Sequence, residues 1–257
     1  MLSERSREII RKSSGQLKQP VRLVLFTADR GCDSCPIAVE LGHAIKQHIP
    51  SLALEVYDMV MDRDKTEQYR VSRVPSAAVQ GLDGRSVLFS GLPEEVFLQV
   101  LMDTISAVSF RKNWFPDTVN HALENLAHDV RIRVFVKSDC MECKPVAETA
   151  IGLAFEHRFI STEIIIVKDL PELVRHRGFT ALPVTVFNEN LFMEGHLTES
   201  AFLEMVFQAE GMRPVPERKC LVCSSQSPEI ICVSCRTKIQ AEAIDHKTRL
   251  EKGSQSA

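Results

Sequence analysis

All eight cysteines of this 257-residue chain fall into four C-x-x-C pairs: Cys32/Cys35, Cys140/Cys143, Cys220/Cys223 and Cys232/Cys235. None is left over for ordinary core packing. Thiolates attack disulfides and ligate soft metals, and a two-residue spacer keeps both sulfurs of a pair within bonding reach. The pattern therefore points to redox exchange or metal binding. Residues 2–15 (LSERSREIIRKSSG) are charged and helical in pattern, with no apolar stretch or small-residue cleavage site, so no secretory signal is expected there. No run of about 18 apolar residues occurs, so no membrane span is expected. The expectation is a cytoplasmic protein, where C-x-x-C reads as catalytic or metal-binding rather than as a structural disulfide framework.

The last two pairs sit apart from the rest. From Arg213 onward the chain carries a net charge of +3, against −6 for the residues before it. Arg213-Pro-Val-Pro-Glu-Arg reads as a linker. It leads into C-x2-C-x8-C-x2-C, in which Cys220, Cys223, Cys232 and Cys235 can offer four thiolates to a tetrahedral zinc. A segment of roughly 40 residues lacks the apolar mass for its own core, and a metal would supply the missing folding energy. A third redox site and an iron–sulfur cluster use the same donor type and stay open. Residues 236–251 have helical character, and His246 reads as a solvated helix residue.

The first two pairs belong to an internal repeat. Cys32 and Cys140, Cys35 and Cys143, and Pro75 and Pro183 are each 108 residues apart. After the prolines the offset falls to 104, with Leu98 and Met102 answering Phe202 and Val206. A tighter turn at Asn188-Glu189-Asn190 than at Gly81-Leu82-Asp83-Gly84 explains the change. The elements that must position the cysteines follow from hydrophobic periodicity. The first half reads as helix 3–13, strand 21–27, helix 35–48, strand 53–60, helix 63–70, strands 76–80 and 85–90, and helix 93–108. The second reads as helix 116–128, strand 130–136, helix 143–157, strand 162–167, helix 170–176, strands 184–187 and 191–194, and helix 198–209. Alternation of strands and helices predicts an α/β fold with a parallel part, and each terminal hairpin adds an antiparallel part. The alternative is one 210-residue α/β domain with accidental spacing.

A strand, a C-x-x-C opening a helix and an apolar-Pro dipeptide about 40 residues later resemble the thioredoxin superfamily. The motifs are Cys32-Asp33-Ser34-Cys35-Pro36 with Val74-Pro75, and Cys140-Met141-Glu142-Cys143-Lys144-Pro145 with Leu182-Pro183. Two units in tandem resemble the glutaredoxin-like protein disulfide oxidoreductases, and also the N-terminal domain of the alkyl hydroperoxide reductase flavoprotein. The resemblance covers roughly residues 1–210. It implies two thioredoxin-like folds, 1–112 and 113–212, each a mixed central sheet flanked by helices, followed by the zinc-binding tail 213–257. It also implies that Pro75 and Pro183 are cis, and that the main chains of Val74 and Leu182 meet a bound peptide.

The chemistry assigns roles within each pair. A helix N-terminus aims unpaired N–H groups and the positive end of the dipole at the first sulfur. Cys32 and Cys140 are thus the expected nucleophiles, and Cys35 and Cys143 the resolving thiols. Lys137, three residues before Cys140, resembles the glutaredoxin K-x-x-C pattern, and with Lys144 on the other side it opposes Asp139 and Glu142. Asp29 takes the matching place in the first half, where Arg30 is the main offset to Asp29 and Asp33. Cations favour a thiolate and carboxylates disfavour it, so Cys140 is expected to be the faster thiol. No tryptophan precedes either pair. Phe26 and Val134 stand where thioredoxins keep a buried acid, which favours a glutaredoxin-like site. The sole tryptophan, Trp114, is expected to pack between the halves.

The function this predicts is thiol–disulfide exchange on disulfide-containing proteins. No G-x-G-x-x-G occurs, so no flavin or nicotinamide site is expected, and electrons would come from a separate reductase or thiol donor. The charge pattern carries no nucleic-acid footprint. Two further readings stay open: an adaptor that binds peptides and docks through its zinc tail, and an electron relay to a peroxidase.

Overall fold

The structure, a computed structural model, describes residues 2–13, 15–168 and 178–211, with residues 218, 219, 222, 226 and 227. Residues 1–213 form one compact unit and 214–257 a second. In the first unit the chain order is α1 (Glu4–Ser13), β1 (Arg22–Thr27), α2 (Cys35–His48), β2 (Ala53–Asp58), α3 (Arg63–Gln68), β3 (Ser76–Gln80), β4 (Ser86–Ser90) and α4 (Glu95–Ser109). It continues with α5 (Asp117–Leu123), β5 (Val130–Val136), α6 (Cys143–Glu156), β6 (Ile160–Ile166), β7 (Val184–Phe187), β8 (Leu191–Glu194) and α7 (Glu199–Glu210). The helix expected over 170–176 lies outside the described residues.

Several elements stop short of their expected ends, the helix expected over 63–70 at Gln68 among them, and two do so for a visible reason. The strand expected to reach residue 60 ends at Asp58. That carboxylate accepts the N–H groups of Val60 (2.8 Å) and Met61 (2.9 Å) and turns the chain. The same donors hold the Asp58 carboxyl below the ordinary carboxylate range. The helix expected over 116–128 ends at Leu123. Beyond it, Asn125 and Leu126 bond three residues back. The N–H of His128 then goes to Glu210 on α7 (3.0 Å) rather than to a fourth residue back.

The eight strands form one sheet in the order β2-β1-β3-β4-β6-β5-β7-β8. Each half contributes four strands in the same arrangement. β1 pairs parallel with β2 and antiparallel with β3, and β3 pairs antiparallel with β4. β5, β6, β7 and β8 repeat this pattern. The halves join where β4 pairs parallel with β6, Val87 opposite Thr162 and Ser90 opposite Ile165. This is the mixed α/β sheet that the alternation of elements predicts.

Alternate strand residues face opposite sides of a sheet, and the two sides differ here. On one side, Leu23, Leu25, Val79, Phe89, Ile132, Val134 and Ile164 join a single core that runs through both halves and includes side chains of α1, α2, α4, α6 and α7. The other side carries two separate small clusters, Val24, Phe26, Tyr69, Val71, Ala78 and Leu88 in one half and Phe135, Ile165, Val184 and Val186 in the other. Between those clusters lie the charged Arg131 and Glu163, which pair at 3.3 Å. Trp114 packs on the second half: its ring stacks on Phe155 at 6.3 Å, and its backbone N–H donates to Glu156 (2.9 Å).

In the second unit, β9 (Arg218–Lys219) pairs antiparallel with β10 (Gln226–Ser227). Cys220, Cys223, Cys232 and Cys235 and the helix expected over 236–251 lie outside the described residues. Among the described residues no group of three or more His, Cys, Asp or Glu is placed to hold a metal.

Candidate functional site

β1 and β5 run into loops that end at the helices α2 and α6, whose first residues are Cys35 and Cys143. Pro36 stands in the first turn of α2, where its missing N–H is harmless. Both pairs are disulfides: Cys32–Cys35 with Cα atoms 5.4 Å apart and Cys140–Cys143 with Cα atoms 5.3 Å apart. In each pair the first cysteine is half-buried and the second buried, Cys35 3% and Cys143 0% exposed. An incoming disulfide can therefore reach Cys32 and Cys140, while Cys35 and Cys143 stay behind them.

The sites differ in how the first sulfur is held. The Cys143 N–H donates to the Cys140 sulfur at 3.1 Å. The corresponding Cys35 N–H donates to the Cys32 carbonyl oxygen at 3.2 Å. Lys137 and Arg30 are both exposed. Lys144, on the first turn of α6, is drawn to Asp103 (3.3 Å) and Glu148 (3.6 Å). Met141, inside the second pair, is 67% exposed and presents an apolar surface beside the disulfide.

The sheet register carries the prolines to the same end. Ser76 lies opposite Phe26, and Val184 opposite Phe135, so Pro75 and Pro183 sit where β1 and β5 run out into the cysteine loops. Val74–Pro75 and Leu182–Pro183 are cis. Both prolines are buried, and Val74 and Leu182 are half-buried. The Pro75 carbonyl accepts from Gly91 N–H and the Pro183 carbonyl from Gly195 N–H, each at 2.8 Å. Phe26 and Val134, at the places of the absent buried acids, are fully buried.

One feature of the second site is not visible in its own half of the sequence. Phe97 N–H, on the first turn of α4, donates to the Ser138 carbonyl (3.2 Å). Ser138 Oγ donates to the Leu92 carbonyl (3.4 Å). The loop ahead of Cys140 thus rests on the first half of the chain. Only the pairing of β4 with β6 creates this contact, and no local motif marks it.

Known proteins agree with this geometry. A family model described as "Thioredoxin domain" matches residues 130–208, which include Cys140, Cys143 and Pro183. A probable thioredoxin of Methanothermobacter marburgensis is 30% identical over 83 residues, 30% of this chain and 96% of the relative. A solved protein disulfide oxidoreductase of Aeropyrum pernix is 26% identical with a TM-score of 0.72, over 82% of this chain and 95% of that one. The AhpF component of the Enterococcus faecalis alkylhydroperoxide reductase shares the fold at 17% identity with a TM-score of 0.70, over 80% of this chain and 99% of that one. With two C-x-x-C disulfides each opening a helix beside an X-Pro loop, the chain belongs to the thioredoxin superfamily and is a thioredoxin-like thiol–disulfide oxidoreductase.

Proposed function

We propose that the chain exchanges disulfides with proteins through two dithiol sites, Cys32/Cys35 and Cys140/Cys143, in thioredoxin-like units 1–112 and 113–212. The observation that carries this reading is the accessible first cysteine backed by a buried second one in both pairs. In the reducing direction the Cys140 thiolate attacks one sulfur of the substrate disulfide. A mixed disulfide forms and the other substrate sulfur leaves as a thiolate. Cys143, deprotonated, attacks the Cys140 sulfur and releases the second substrate thiol. Two electrons pass to the substrate and the Cys140–Cys143 disulfide remains, to be reduced by a separate reductase or thiol donor. Cys32 and Cys35 act in the same way. Val74 and Leu182 offer main-chain contacts to the peptide. Incubation of the reduced protein with a disulfide-bonded protein tests the reading, and absence of exchange with any protein disulfide would refute it.

The sites are read as glutaredoxin-like and the compartment as cytoplasmic. Lys137 and the N–H on the Cys140 sulfur favour the Cys140 thiolate against Asp139 and Glu142, while in the first-site sequence Arg30 is outnumbered by Asp29 and Asp33. Cys140 is therefore expected to be alkylated several-fold faster than Cys32 in slightly acid buffer, roughly the effect of one nearby charge or hydrogen bond. Peptide mapping after timed iodoacetamide quenching reads both rates. Equal rates, or a faster Cys32, would remove the proposed difference.

The tail is read as a structural zinc site of Cys220, Cys223, Cys232 and Cys235. The paired strands β9 and β10 support this, because they flank the segment that carries Cys220 and Cys223. Four thiolates with this spacing suit a closed tetrahedral zinc. Anaerobically purified protein is expected to contain about one zinc per chain, as one four-thiolate site requires. Cys220→Ser is expected to lose it. Metal-free protein by elemental analysis would contradict the assignment.

A further inference from the structure

The two X-Pro loops are tied down differently, and the difference crosses the joint between the halves. In the second half, Glu194 at the end of β8 accepts the N–H groups of Thr180 (3.0 Å) and Ala181 (2.5 Å), which lead into Leu182-Pro183. The antiparallel registers pair Glu194 with Val184 and Ser90 with Ser76. Ser90 thus stands in the first half where Glu194 stands in the second, and a serine has no carboxylate to offer.

The carboxylate arrives from β6 instead. Ser90 Oγ donates to Glu163 Oε1 at 2.7 Å. Ser90 Oγ also touches Ser76 Oγ (3.0 Å), and Ser76 Oγ donates to the Arg73 carbonyl (2.8 Å). Arg73 Nε lies 3.8 Å from the same Glu163 oxygen. Arg73 precedes Pro75 by two residues, as Ala181 precedes Pro183. Glu163 is 4% exposed, and a buried carboxylate is tolerated only where its charge is met. Its counterpart 108 residues earlier, Glu55, is on β2 at the free edge of the sheet, half-exposed and paired with Arg22 at 2.9 Å. Burial of this carboxylate is therefore a product of the joint and not of the repeat.

We propose that Glu163 is a positioning residue for the Val74-Pro75 loop, so that peptide binding at the Cys32/Cys35 site depends on a carboxylate from the other half. Glu194 does the same for the Cys140/Cys143 site from within its own half. The inference rests on the reading of Val74 and Leu182 as peptide contacts.

The test uses the full chain in two backgrounds: Cys140→Ser/Cys143→Ser, which leaves the first site, and Cys32→Ser/Cys35→Ser, which leaves the second. Hydroxyethyl disulfide and a disulfide-bonded peptide are the substrates, with dithiothreitol as reductant. Glu163→Gln is expected to raise KM for the peptide roughly five- to tenfold at the first site, as loss of a charge-assisted anchor does. It leaves kcat, and the rate with hydroxyethyl disulfide, within about twofold, because substrate chemistry at Cys32 is untouched. Glu194→Gln acts the same way at the second site only. Arg73→Gln, on the exposed side of its contact with Glu163, raises KM in the same direction but less. Arg131 at 3.3 Å still meets the Glu163 charge, and the path through Ser90 and Ser76 to the Arg73 carbonyl remains. Arg73→Lys restores most of the affinity. Amide exchange gives a readout independent of turnover: the Gly91 N–H held by Pro75 exchanges about tenfold faster in Glu163→Gln, as a loosened local structure does. Equal KM changes in both backgrounds would overturn the inference, as would unaltered Gly91 exchange. Faster Gly91 exchange in a first site that reduces no peptide would support the anchor and overturn the peptide-binding role.

Discussion

Replacing both Cys32 and Cys140 by serine is expected to lower protein disulfide reduction by about a thousandfold or more, to the rate of the thiol donor alone. The two first cysteines are the accessible sulfurs of their pairs, whereas Cys35 and Cys143 lie beneath them, 3% and 0% exposed. A serine hydroxyl in their place is not ionised at neutral pH and cannot accept the substrate sulfur. Single variants separate the sites. If the two pairs work independently, Cys32→Ser and Cys140→Ser leave residual rates that sum to the wild-type rate. If one pair passes electrons to the other, each single variant falls well below that share, because residues acting as a unit are not additive.

Removal of the resolving thiol separates the mechanism from simple binding. Cys143→Ser, with Cys35→Ser beside it, leaves both nucleophiles but no second attack from within the chain. Without glutathione, a mixed disulfide between substrate and Cys140 or Cys32 is expected to accumulate to near stoichiometry. Alkylation followed by mass measurement under non-reducing conditions would show it. An undiminished turnover in this double variant would assign resolution to another thiol.

The cysteine spacing made both sites legible, because a helix that opens at the second cysteine and a proline 43 residues after the first are local or periodic signals. Strands β3, β5, β7 and β8 fall where their alternation places them. The joint was not legible. Glu163 in Ile-Ser-Thr-Glu-Ile-Ile-Ile reads like Glu55 in Ala-Leu-Glu-Val-Tyr-Asp, a charge on the free face of an edge strand. Only the pairing of β4 with β6 buries one and leaves the other at the margin, and strand order is a tertiary fact that no local pattern encodes. The contact of Phe97 with Ser138 is hidden for the same reason. The end of α5 eluded periodicity because Glu210, 86 residues past Glu124, takes the N–H groups that would have continued the helix.

The joint can be weighed by a matched pair of substitutions. Gly91 and Gly195 end their β-hairpins at equivalent places, both donating to the carbonyl of the cis proline. Both have positive φ, +100° and +81°. A Cβ at either strains the backbone, by about 1–2 kcal/mol. At Gly195 the added atom meets nothing within 4 Å. At Gly91 it falls 2.7 Å from the Ile166 carbonyl oxygen and 3.1 Å from the Ile166 Cβ, on the strand that joins the halves. Backbone on a central strand cannot swing aside as a side chain can, so overpacking there adds about 1–3 kcal/mol. Gly195→Ala is therefore expected to destabilise the protein by about 1–2 kcal/mol, and Gly91→Ala by about 2–5 kcal/mol. Urea titration of both variants reads the difference, which isolates the close approach of β4 to β6 from the local strain the two glycines share. Equal losses would mean that the strands part without cost, and that the two halves do not depend on this contact for their stability.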